Sequence, residues 1–139
     1  MKESTFRRRV VQLLHQYAAF AVENPAWPGT PDVSTTVGWI ELKVLRAWPT
    51  KTVNGIVRVP HLTQVQRIWH LKWTQSGGKS WLLIMIGKDI LLIPGWAIDR
   101  VGHVTRKELE QLAWTRWNSL VQMDAELVMA LRPGVYGRT

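Results

Sequence analysis

Two pairs of β-like runs, Val33–Val37 with Trp39–Leu45 and Ser80–Ile86 with Asp89–Ile93, are separated by a helix-forming stretch. No other feature of the chain limits its folding options as strongly. Turn chemistry closes each pair, at Gly38 in the first and Gly87-Lys88 in the second, so both read as hairpins. The stretch between them starts with Thr63 as a cap and runs to about Gln75, with Val65, Ile68, Trp69 and Leu71 on its apolar side. A helix joining the second run to the third implies a parallel crossover at that step. Ahead of the first pair, Phe6, Val10, Leu13, Leu14 and Tyr17 recur at helical spacing from Glu3 to Phe20. The dense proline and glycine of Asn24 to Pro31 then impose a loop. After the second pair, Thr105-Arg106-Lys107-Glu108 is a capping box. Helical pattern continues from it towards Leu131, with a break near Asn118-Ser119 and a stop at Pro133-Gly134. The order predicts an α/β fold with a mixed central sheet of about four strands, flanked by helices and followed by C-terminal helices.

At 139 residues the chain suits one domain. Its longest apolar run, Trp81 to Ile86, is far too short to cross a bilayer. The basic N-terminal stretch lacks the apolar segment of a secretory signal. With no cysteine, disulfides, thiol nucleophiles and cysteine-ligated zinc are all excluded. These features predict a soluble cytoplasmic protein with no membrane contact. Eighteen Lys and Arg against ten Asp and Glu leave a net charge of +8. Such a field favours polyanions, of which nucleic acid is the commonest inside cells. Nine tryptophans are an unusual load. Most belong in a core or an interface, and the sequence does not say which would stack on bases.

Chemistry concentrates between Pro31 and Lys43. Residues alternate faces along a strand, so Glu41 and Lys43 share one face while Leu42 turns to the other. Closing the hairpin brings Asp32 close to that pair. Two carboxylates and an ammonium at one strand end can hold a divalent metal and a phosphate. Asp32 and Glu41 would ligate a hard cation such as Mg²⁺, with Mn²⁺ able to substitute, and the backbone carbonyl of Leu42 could add an oxygen. Lys43 could orient the attacking water or hold the scissile phosphate. A lone Glu-x-Lys on a surface strand is ordinarily just a solvated pair, so the weight rests on Asp32 and on the surrounding order of elements. The four histidines have no zinc-like spacing, and no nucleotide-binding fingerprint is present.

Pro31-Asp32, Glu41-Leu42-Lys43, the helix before them and Leu62-Thr63-Gln64-Val65-Gln66-Arg67 after them resemble the PD-(D/E)XK nuclease superfamily. The resemblance is to small phage and bacterial nucleases of the VRR-NUC and Holliday-junction-resolvase type, and it runs from about Glu3 to Ile93. It implies a restriction-endonuclease-like core over residues 1–95, with 96–139 as a helical extension of the single domain. It further implies a Mg²⁺-dependent endodeoxyribonuclease acting on branched or structured DNA. An acid on the first helix would complete the metal site. Glu3 is the only acid in that helix, with Glu23 just beyond it as competitor. Gln66, and not Gln64, matches the glutamine that related nucleases carry on the following helix, where it would contact water or phosphate. Arg7, Arg8, Lys51, Arg58 and Arg67 are the expected DNA contacts. Cutting both strands with one site per chain predicts a homodimer, with Trp114 and Trp117 offered as its interface.

Overall fold

The computed structural model describes residues 1–24, 26–50 and 55–135. Among these, six strands form one sheet whose spatial order is the order of the chain. They are β1 (Phe20–Ala21), β2 (Val33–Thr35), β3 (Gly38–Leu45), β4 (Ser80–Ile86), β5 (Asp89–Pro94) and β6 (Thr115–Trp117). Neighbours run antiparallel except β3 and β4, which are parallel. Helix α2 (Gln64–Gln75) carries the chain between those two, as a parallel step requires. The expected α/β class, mixed sheet and helical crossover are all present, but the sheet has six strands instead of about four. The additional ones are edge strands of two and three residues, too short to show an alternating pattern.

Two helical boundaries also differ. Helix α1 (Glu3–Leu13) stops well before Phe20. A single 3₁₀ turn at His15–Tyr17 follows, and Ala18 then adopts a left-handed φ of 55°, which swings the chain into β1. Further on, the capping box forms as expected, with Thr105 Oγ1 accepting from the Glu108 N–H, and starts α3 (Arg106–Leu112). The segment after α3 then pairs with the free edge of β5 as β6 before Ser119 caps α4 (Leu120–Ala130). The extension after residue 95 thus carries a strand as well as helices, and β6 and α4 complete the sheet and part of its core.

Both faces of the sheet are covered, so all seven residues of β4 are buried. On one face, Phe6 and Val10 of α1, Leu14 just after it, and Met123 and Leu127 of α4 pack with Ile40, Leu42, Leu83 and Met85. On the other, Leu82, Ile84, Leu91 and Ile93 meet Ile98, Val101 and Leu109, together with Val57, Val59 and Leu62 from the β3–α2 connection. Strand alternation places Glu41 and Lys43 on this second face, beside Leu82 and Ile84 of β4. Among the described residues, no helix is long and apolar enough to cross a membrane.

Candidate active site

The β2–β3 ladder ends at the pair Val33–Ile40. Past that point Asp32 replaces a strand partner: its Oδ2 accepts the Leu42 N–H at 2.9 Å. The N–H and carbonyl of one strand residue point to the same side, so the Leu42 carbonyl is also turned towards Asp32. Glu41 and Lys43, either side of Leu42, lie on the α2 face of the sheet and are 1% and 5% exposed. Lys43 Nζ sits 3.6 Å from Glu41 Oε2.

Helix α2 contributes Gln66 through its own cap. Thr63 Oγ1 accepts from the Gln66 N–H, and Gln66 Oε1 accepts from the Thr63 N–H at 2.9 Å. With its oxygen committed to the cap, the side-chain amide directs Nε2 to Glu41 Oε2 at 3.4 Å. Gln64 is exposed on another side of the helix. The structure thus brings Asp32, Glu41, Lys43 and Gln66 together.

Among the described residues, no N–H or hydroxyl donates to Glu41 Oε1, which is fully buried. Burial foremost, then the Asp32 charge and a side-chain hydrogen bond with Asp32, push the Glu41 carboxyl up to about 10, against the opposing pull of Lys43. An uncompensated carboxylate is costly in such a place, so the pair calls for a proton or a cation. Two carboxylates and a carbonyl turned the same way are a donor set of the kind hard divalent cations take.

The remaining expected residues do not join them. Among the described residues no three acidic or imidazole side chains converge, so neither Glu3 nor Glu23 completes the acid pair. For Glu3 the reason is topological, since α1 packs on the Leu42 face of the sheet, opposite Glu41. Arg7 and Arg8 lie on that same helix, while Arg58 is exposed on the β3–α2 connection. Arg67 turns inward. It is 7% exposed and donates through Nη1 to the Ile98 carbonyl at 2.8 Å. Burial lowers its pKa while Asp99 opposes the shift. Lys51 lies outside the described residues. Trp117 is buried, with its indole N–H donating to Glu126 at 3.0 Å, and is not available to an interface. Trp114 is partly exposed against Trp81.

Sequence reading did not single out two further features. His70 is buried, with Nδ1 2.7 Å from Ser80 Oγ, and burial pushes it down to about 4. Beside the site, Trp69 and Trp73 stack with centroids 5.2 Å apart, and Trp39 meets Trp69 edge-on at 5.6 Å. The four-residue spacing of Trp69 and Trp73 on one helix was the available clue. No family model matches this chain, and comparisons with curated proteins and with solved structures return no match.

Proposed function

We propose that this chain is a Mg²⁺-dependent endodeoxyribonuclease of the PD-(D/E)XK type, hydrolysing phosphodiester bonds in branched or otherwise structured DNA in the cytoplasm. The observation that carries this reading is the buried Oε1 of Glu41, to which no N–H or hydroxyl of the described residues donates, beside the acid Asp32 and with Lys43 Nζ 3.6 Å from the other oxygen of the same carboxylate. Asp32, Glu41 and the Leu42 carbonyl would hold the metal. Two carboxylates suffice, because Mg²⁺ commonly keeps several waters and binds through one or two acids. Bound there, Mg²⁺ or Mn²⁺ supplies an acidified water and offsets charge at the phosphate.

The protein groups do the rest. Asp32 is oriented by the Leu42 N–H, which fixes one of its oxygens and holds its carboxylate against β3. Lys43 brings a positive charge into a largely water-excluded site, where it acts more strongly than in bulk water on a phosphate or on the attacking water. Gln66, its oxygen held by the α2 cap, offers Nε2 to Glu41 and to a water bound there. Exposed Arg58 and the overall charge of +8 hold the DNA backbone without reading sequence. A homodimer would place two sites on two strands.

The test incubates purified protein with Mg²⁺ or Mn²⁺ and either plasmid or four-way-junction DNA, alongside Asp32→Ala. Metal-dependent nicking lost in the variant, with junctions preferred over linear duplex, is the expected result. Cutting that survives Asp32→Ala removes the assigned site. Binding without cutting under either metal makes the chain a nucleic-acid-binding protein instead. Light scattering with and without junction DNA reads the dimer.

A further inference from the structure

Along α2 runs a groove of about 410 Å³ walled by Trp27, Pro28, Val65, Ile68, Trp69 and Trp73, with Lys72 at its edge. Trp27 is 68% exposed, and Val65, Ile68 and Trp73 are exposed with it. Contiguous apolar exposure of this kind marks a binding surface. Its residues carry one positive charge and no negative one.

The groove is held open by its own backbone. The Trp73 indole N–H donates to the Lys79 carbonyl at 2.9 Å. Its ring lies against Gly78, where even an added Cβ would come within 2.4 Å of it. On the opposite wall, the Thr30 N–H and hydroxyl both donate to the Trp27 carbonyl, at 3.2 and 2.6 Å. Gly29, at φ 87°, passes so close to α2 that a Cβ would come within 2.5 Å of the Val65 carbonyl oxygen. The Trp73 indole, fixed in this way, loses little freedom when a ligand arrives.

The groove and the acid pair are continuous along the chain. Val65 lines the groove, and the next residue, Gln66, reaches Glu41. On the other wall, Trp27 lies five residues before Asp32, joined to it by Pro28-Gly29-Thr30-Pro31. From this adjacency we infer that the tryptophan groove takes an unpaired nucleobase of the DNA strand whose phosphate lies at Asp32 and Glu41. The placement of that strand rests on the nuclease reading above. Indole faces stack on any base, and Lys72 and the net charge of +8 suit the attached phosphates, whereas a purely apolar partner would gain nothing from them. Duplex bases have their faces already covered, so the substrate class is DNA with a single-stranded or unstacked segment at the cleavage point.

Fluorescence anisotropy on the full chain in EDTA tests this. Three labelled probes are used: a single strand of mixed sequence, the same strand with central abasic residues, and a blunt duplex of equal length. Abasic substitution is expected to weaken binding by roughly 10-fold. Trp27→Ala should lose a similar factor on the ordinary strand and little on the abasic strand or the duplex, while Trp27→Phe recovers most of the loss. Melting curves confirm that these exposed-loop variants fold. Unchanged affinity for all three probes in Trp27→Ala overturns the inference and leaves the groove to a protein partner. An equal loss on duplex overturns it too. Without metal the assay is blind to hydrolysis, which separates the two readings. Base-dependent binding with no cutting keeps the groove and removes the nuclease; cutting with base-independent binding does the reverse.

Discussion

Leu42 and Glu41 are neighbours on β3, and each is 1% exposed, yet the two sides of the strand bury them on different physical grounds. Leu42 enters an apolar cluster with Phe6, Val10 and Leu14, where burial itself is the gain. Glu41 enters a layer of Leu82, Ile84 and their partners, where its carboxylate meets Lys43, Gln66 and the charge of Asp32, with one oxygen unmatched. The first face is arranged for stability. The second face holds a buried acid whose charged form burial disfavours, and on the proposed reading this is where a cation would sit. Arg67 makes the contrast sharper, since it too is a buried charge on the second face, but the Ile98 carbonyl and the Asp99 charge satisfy it.

Exchanging one group on each face tests this contrast. Glu41→Gln removes a carboxylate with little change of shape, and metal-dependent cleavage should fall by about 10³-fold, read as initial nicking rate. The same variant should melt higher than the wild type at pH 8 in EDTA, by about 3–5 °C. The sign follows from linkage. The folded chain keeps the Glu41 proton up to about 10, whereas the unfolded chain releases it near 4.5, so metal-free stability falls as pH rises between those values. Glu41→Gln should flatten that fall, and added Mn²⁺ should reverse it in the wild type. A variant that melts lower at pH 8 would remove the claim that Glu41 is a burden without its cation.

Leu42→Ala acts on the opposite face. It should cost about 2–5 kcal/mol by urea unfolding, because it leaves a cavity under α1. Cleavage per folded molecule should change by only a few-fold, since the contribution of Leu42 to the site is backbone. Loss of cleavage in a folded Leu42→Ala protein would show that the two faces are not independent. The smallest effect is expected of Gln66→Ala, which loses the reciprocal half of a helix cap and one hydrogen bond to Glu41. Stability should drop by about 1 kcal/mol and cleavage by several-fold. A drop as deep as that of Glu41→Gln would move Gln66 from supporting contact to essential group.

Asp32, Glu41 and Lys43 were legible in advance because strand alternation and hairpin closure are local rules acting over about ten residues. Gln66 was legible as well, although its selection over Gln64 in space comes from the capping box that orients its amide. Glu3 and Arg67 were misplaced for a common reason. Helical spacing tells which side of a helix is apolar, but not which face of the sheet that helix will cover. The fate of Arg67 depended on a carbonyl thirty-one residues away, in the 3₁₀ segment Gly95–Arg100. Likewise, Thr115-Arg116-Trp117 has no strand signal, and it becomes β6 because β5 has an open edge.

Periodicity, turn residues and caps in the sequence were enough to establish the α/β order, the parallel crossover and the pairing of Asp32 with Glu41 and Lys43, because each depends on neighbours along the chain. The burial of Glu41 without a full set of partners, the exclusion of Glu3 and the gathering of Trp27, Trp69 and Trp73 into one groove depend on which distant surfaces meet. Those outcomes belong to the packing of α1 and α2 on opposite faces of one sheet.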